Sequence, residues 1–236
     1  MATIHANAND GRIIKFTFSG TWSFHRDATS GVAQNLSNAS GTATVATGPF
    51  YGFMVVRAFF YFDTSAITGT VSGGTLSIYG YGNSVSNPII VKSDAFGGDG
   101  GTALNNADFD AMPGFSAGNT MAGNVTTYST GAITSWSTSG YNEFTLTAQA
   151  MTDIQNNDFF IVAMVDYDYD YLNVQPSSLG ASGSFYADNS GTSKDPKIDF
   201  TEAAAGYTHT VLGITPDSMA KVKGVAKANI SKVIGV

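Results

Sequence analysis

Apolar and polar residues alternate along this chain in short runs of period two. In Glu143-Phe144-Thr145-Leu146-Thr147, Phe144 and Leu146 fall on one face; in Thr75-Leu76-Ser77-Ile78-Tyr79, Leu76 and Ile78 do the same. Successive side chains of a strand point to opposite faces. The pattern therefore predicts strands with one buried and one wet face, the habit of antiparallel sheets. Strand candidates are residues 12–18, 53–62, 75–79, 89–92, 143–148, 159–165 and 197–201, each bounded by Gly, Asn, Asp or Ser. Residues 53–62 and 159–165 are apolar on both faces and are expected as central strands or strands beneath a loop. Ser72-Gly73-Gly74, Gly97-Gly98-Asp99-Gly100-Gly101 and Ser137-Thr138-Ser139-Gly140 read as punctuation between strands. No helix of two turns is expected in the body, and residues 149–155 allow one short turn. The segment 93–128 is long for a connection. Its Phe96, Phe109, Met112, Phe115 and Met121 predict that it packs down onto the body. Many short strands joined by polar loops point to an all-β fold, a jelly-roll β-sandwich.

The pattern changes after residue 202. From Val211 a unit of 11 residues recurs: Val211, Val222 and Val233 coincide, as do Gly213, Gly224 and Gly235, and Ile214, Val225 and Val236. Met219 matches Ile230, and Lys221 matches Lys232. A glycine in every unit beside β-branched residues argues against helix and for a short strand or extended arm. Two and a fraction units cannot bury a core alone, so the arm is expected to lie on a surface. That surface would belong to its own body, a second copy or another protein. Two parts follow: a sandwich over residues 1–202 and an assembly tail over 203–236. The assembly positions are Val211, Ile214, Met219, Val222, Val225, Ile230, Val233 and Val236.

Charge sharpens that division. Residues 1–202 hold 7 Lys/Arg and 17 Asp/Glu, a balance of −10, whereas 203–236 hold 4 Lys and Asp217, a balance of +3. The acidic total argues against nucleic acid as a partner. Charged residues make up only 12% of the chain, about half the usual globular share. No window reaches the ~18 apolar residues of a membrane span. The first ten residues lack a basic and an apolar run, so no secretory signal is expected. The absence of cysteine removes disulfides, thiolate metal sites and thiol nucleophiles together.

Candidate chemistry is sparse. His5, His25 and His209 are the only histidines and are expected on the surface or in loops. No Gly-x-Ser-x-Gly elbow marks a nucleophile. Asp166-Tyr167-Asp168-Tyr169-Asp170-Tyr171 follows an apolar strand. If extended, it sets three carboxylates on one face and three phenols on the other. Asp166, Asp168 and Asp170 would then be a candidate Ca²⁺ site, since calcium takes hard oxygen ligands. Tyr167, Tyr169 and Tyr171, with Trp136, would be a sugar-stacking platform. A carboxylate pair for glycoside hydrolysis is a third reading, and a strand end with tyrosines covering the core edge is a fourth. Asp94, Asp99, Asp108 and Asp110 lack the spacing of a calcium loop and read as solvated loop acids. Trp22 reads as core or core edge. Arg57, inside the most apolar strand, must be paired; Asp63 is near in sequence, but any acid across the sheet would serve.

The stretch Val56-Arg57-Ala58-Phe59-Phe60-Tyr61-Phe62-Asp63-Thr64-Ser65-Ala66-Ile67, followed by Val71-Ser72-Gly73-Gly74-Thr75-Leu76-Ser77-Ile78-Tyr79-Gly80, resembles the hallmark of DNRLR-type jelly-roll domains. Gly74 stands where that family often has alanine. Asp166-Tyr167-Asp168 and Gly191-Thr192-Ser193-Lys194-Asp195-Pro196-Lys197-Ile198-Asp199-Phe200 are similar to its closing segment. Asn9-Asp10-Gly11, Trp22 and Arg26-Asp27 resemble the opening of phage members. The tail repeat is similar to C-terminal segments of phage virion proteins. The resemblance covers about residues 9–202 and carries a fold more than an activity. It implies a carbohydrate-binding-module-like jelly roll of bacteriophage structural or fibre proteins. The expectation is a non-catalytic virion protein, a capsid decoration or tail-fibre subunit. It would bind copies of itself and other virion proteins, and neither nucleic acid nor membrane. It needs no cofactor unless Ca²⁺. The alternative is a carbohydrate-binding module or adhesin for a glycan.

Overall fold

The chain runs through β1 (Ala2–His5), β2 (Gly11–Phe16), the short helix α1 (Trp22–Arg26), β3 (Ala33–Asn35), β4 (Gly41–Gly48), β5 (Gly52–Asp63), β6 (Thr70–Tyr81), β7 (Pro88–Lys92) and β8 (Tyr141–Thr145). Then come α2 (Ala148–Asn156), β9 (Phe159–Asp166), β10 (Gly180–Ser184), β11 (Lys197–Ala203), β12 (Lys221–Val222) and β13 (Val225–Ala226). The computed structural model describes residues 1–35, 41–48, 52–81, 86–177, 180–184, 193–203, 221–222 and 225–226.

Two antiparallel sheets form the body. The first has the order β1-β11-β6-β8. In the second, β3 pairs β2 and β2 pairs β5. The other edge of β5 is shared: β4 takes residues 52–56 and β9 takes 58–63. From there β4 continues to β10, and β9 to β7. The pairs Gly183↔Tyr81 and Ser184↔Gly80 join β10 to the far end of β6 and tie the sheets together. All seven predicted strands exist, within an all-β sandwich.

The two-faced apolar strands explain a third layer. Ala58, Phe60 and Phe62 of β5 and Phe160, Val162 and Met164 of β9 point between the sheets. There they meet Leu76, Ile78, Phe144, Ile198 and Phe200. Val55 and Phe59 of β5 and Ile161, Ala163 and Val165 of β9 point the other way, into a second core. The long segment supplies its cover with Phe96, Leu104, Phe109, Met112 and Met121, all buried. Segment 93–128 therefore packs down as predicted. Each fully buried ring or aliphatic side chain contributes about 1.5–3 kcal/mol, so this cover is part of the fold.

Two expectations about local structure are corrected. Ser72-Gly73-Gly74 does not end a strand. Gly73 takes φ +59, the register of β11 on β6 shifts between Asp199 and Thr201, and β6 runs through as a bulged strand. In place of one short turn, α2 has nine residues. Thr147 caps it, its side chain accepting a bond from the Ala150 N–H, and Ala150, Met151 and Ile154 form its buried face.

In the tail, Lys221↔Ala226 and Val222↔Val225 face each other across β12 and β13, a separate two-stranded sheet. Val222 and Val225 are thus cross-strand neighbours. Val211, Ile214, Met219, Ile230, Val233 and Val236 lie outside the described residues, as does His209.

Candidate functional site

The Asp/Tyr hexapeptide turns out not to be extended. At Asp166 the chain leaves β9 and enters a single π-helical turn, Tyr167–Tyr171. The i→i+5 bonds are from Leu172 N–H to Tyr167 O (3.2 Å) and from Val174 N–H to Tyr169 O (2.9 Å). The Asp166 carboxylate caps the turn, accepting from the Tyr169 N–H at 2.9 Å. The side chains that alternation would have aligned are sent to different places.

Asp170 goes inward. Its carboxylate receives two parallel bonds from Arg57, Nε to Oδ2 and Nη2 to Oδ1, each 2.8 Å. The remaining Arg57 donors reach Phe109 O (2.8 Å) and Arg26 O (2.9 Å), and its guanidinium lies over the rings of Phe109 and Phe115. The Asp170 carbonyl accepts from Nε and Nη2 of Arg26. Arg26, Arg57 and Asp170 are all fully buried. The expected ion pair of Arg57 is present, and its partner is Asp170, brought from across the fold. Asp63 instead binds Ser65.

Asp166 is also buried, and the Ser86 hydroxyl donates to it. Asp168 accepts from Asn87 Nδ2 at 2.7 Å. The three carboxylates therefore do not share a face, and the extended arrangement proposed for calcium is replaced by three separate pairings. Among the described residues no group of three His, Asp or Glu side chains gathers for a metal.

Burial pushes the Asp166 carboxyl up to about 6. The charges of Asp170 and Asp168 add to the rise, while bonds from Ser86 and the Tyr169 N–H restrain it. A carboxyl raised on folding contributes stability that is complete below its unfolded value near 4. That stability is lost as pH climbs through about 6. We expect this group to make the fold about 1–1.5 kcal/mol less stable at pH 7 than at pH 5. Asp166→Asn, which keeps an acceptor for Tyr169, should remove that component. Urea midpoints of both proteins at the two pH values check it; equal pH dependence of the two would contradict it.

The tyrosines divide as well. Tyr167 and Tyr171 stack with centroids 5.5 Å apart and planes at 21°, and both line a cleft of about 490 Å³. Asn87 and Ile89 at the start of β7 form one wall. Thr127, Ser129, Thr130, Ala132 and Thr134 from the segment crossing to β8 form another, with Asp168 and Leu172 completing it. The Tyr171 hydroxyl bonds Thr127 Oγ1 at 2.8 Å, and the Tyr167 N–H donates to Asn87 O at 2.8 Å, so the turn is anchored to both walls. Tyr169 is not among the lining residues. Trp136 is buried between the sheets, against Phe144.

No protein-family model matches the chain, and no curated protein matches it either.

Several other polar groups are tied into the fold. Trp22 is buried, its Nε1 donating to Asn173 Oδ1 at 3.0 Å. His25, expected on the surface or in a loop, is fully buried in α1. Its ring is held between Thr17 Oγ1 and Thr21 O, each at 2.9 Å. His5 lies exposed on β1. Burial works to raise Asp153, yet bonds from Tyr128, Lys92 and Gln149 hold its carboxyl below the usual range. These contacts pin α2 to β7. Sequence reasoning did not find Asn87, Thr127, Ser129 or Thr134, because small polar residues in loops carry no periodic signal.

Proposed function

We propose that this chain is a non-catalytic structural protein of a bacteriophage virion surface, a decoration or fibre subunit. Its body would be a DNRLR-type jelly roll, and copies would join through the C-terminal repeat arm. The observation that carries this reading is the arm itself. Its β-branched positions recur every 11 residues. Its described strands are two residues each and pair only with one another among the described residues. A hairpin that small is not stable alone in water. It needs a surface, and the +3 arm complements a −10 body on a neighbouring copy. The absence of cysteine suits assembly in a reducing cytoplasm.

Co-expression of tagged and untagged chains tests it. Tagged full-length protein should capture the untagged chain, and protein lacking residues 207–236 should not. Equal capture by both would refute the role of the arm.

One observation favours a second reading, recognition of a glycan. The two stacked tyrosines border a polar cleft of small-ligand size, where the roughly 300–1,000 Å³ range of ligand sites lies. A displayed sandwich with such a cleft would serve as an adhesin.

A further inference from the structure

We propose that the cleft between β7, the 127–134 segment and the Tyr167–Tyr171 turn selects neutral glycans and rejects uronate, sialylated or sulfated ones. The inference rests on the glycan-recognition reading above and adds the ligand's charge class.

The lining mixes two kinds of surface. Tyr167, Tyr171, Ile89, Ala122, Ala132 and Leu172 offer apolar area, which the C–H faces of a pyranose can cover. Thr130 and Thr134 add exposed hydroxyls, and Asn87 and Asp168 add an amide and a carboxylate. Hydroxyl donors of a sugar suit that carboxylate well, because bonds to an ionised acceptor are shorter and stronger than neutral ones. One oxygen of Asp168 holds Asn87, and Oδ1 takes no bond from the described residues.

Charge decides the class. Among the described residues, the cleft is lined by one carboxylate and by neither lysine nor arginine. An acidic sugar would bring its anion against Asp168 with no cation among the described lining residues to pair it, inside walls that reduce screening. The body's balance of −10 repels polyanions at longer range as well. A neutral hexose or N-acetylhexosamine meets no such penalty.

The site is also held in shape before any ligand arrives. The turn that carries Tyr167 and Tyr171 is clamped by the Arg57–Asp170 pair beneath it, by Asp166 at its start and by Thr127 at its end. Groups fixed in advance lose little conformational freedom on binding.

The test uses the full-length protein on an array of neutral hexose and N-acetylhexosamine oligosaccharides beside uronate, sialylated and sulfated ones. Binding to neutral members alone is expected. Tyr167→Ala and the isosteric Asp168→Asn should each weaken it about tenfold. Tyr169→Ala, outside the lining, should change it less than about twofold. Equal or tighter binding of acidic members would overturn the charge selection while leaving glycan recognition standing. Neutral binding that survives both Tyr167→Ala and Asp168→Asn would overturn the cleft as its site. No binding to any member would overturn recognition itself, and this inference with it.

Discussion

Replacing Asp170 with alanine should destabilise the fold by about 3–5 kcal/mol, one of the largest effects of any single substitution here. The carboxylate sits between two fully buried cations and takes both parallel bonds of Arg57. Removing it leaves Arg57 with carbonyl oxygens and ring faces but no counter-charge, while Arg26 keeps Asp27 at 2.7 Å. An uncompensated buried charge is what makes such losses large. The intact pair need not be strongly stabilising in itself, because desolvation of both partners opposes their attraction. Hence the double variant Asp170→Leu with Arg57→Met should recover much of the loss. Urea unfolding of the three proteins measures this. A single-variant loss under about 1 kcal/mol, within the range of a solvent-exposed pair, would contradict it.

Truncating Phe109 to alanine should cost about 3–5 kcal/mol, as deletion of a fully buried ring usually does. Phe109 belongs to the segment that covers the outer face of β5 and β9, not to either sheet. Its ring lies over the Arg57 guanidinium at 4.3 Å, and its carbonyl accepts from the same side chain. If the cover is integral, Phe109→Ala lowers the single cooperative unfolding transition by that amount. Phe60→Ala, in the core between the sheets, should do the same. A Phe109→Ala protein that keeps the parent midpoint, or that opens the segment in a separate early transition, would show that the third layer is an accessory.

What could be read from the residues follows from how far each signal reaches. Period-two alternation is local, and it located the strands that contribute large side chains to a core. β4 and β10 escaped because Gly41–Gly48 and Gly180–Ser184 are built of Gly, Ala, Ser, Thr and a single Val, with no large apolar residue to mark a face. The helix α2 was underestimated although Thr147 is a good cap and Ala150, Met151 and Ile154 share a helical face. Its polar remainder, Gln149, Thr152, Asp153 and Gln155, obscured that stripe. The need of Arg57 for a partner was legible, since a charge in an apolar strand requires one. The identity of that partner was not, because Asp170 lies 113 residues away and is brought near only by the fold.

The Asp/Tyr stretch shows the same limit from the other side. Alternation in Asp166–Tyr171 reads as a strand, yet two tertiary demands override it. Asp166 caps the Tyr169 N–H, and Asp170 must reach Arg57. Winding the backbone satisfies both. It also brings Tyr167 and Tyr171 together over the cleft and leaves Tyr169 elsewhere. The resemblance expected from the sequence rests chiefly on residues 56–80, 166–168 and 191–200. Of these, 56–80 fall in β5, β6 and their connection and 197–200 in β11, whereas Asp166, Tyr167 and Asp168 fall at the turn beside the cleft. Most of these are scaffold positions, and the cleft walls beyond Tyr167 and Asp168 had to be found from geometry.

Light scattering of purified full-length chain and of residues 1–206 measures directly whether the arm needs a surface. Full-length protein should have a mass that is a multiple of the single chain, while residues 1–206 remain folded and monomeric. Identical monomeric masses for both would contradict the claim that this molecule is a building block.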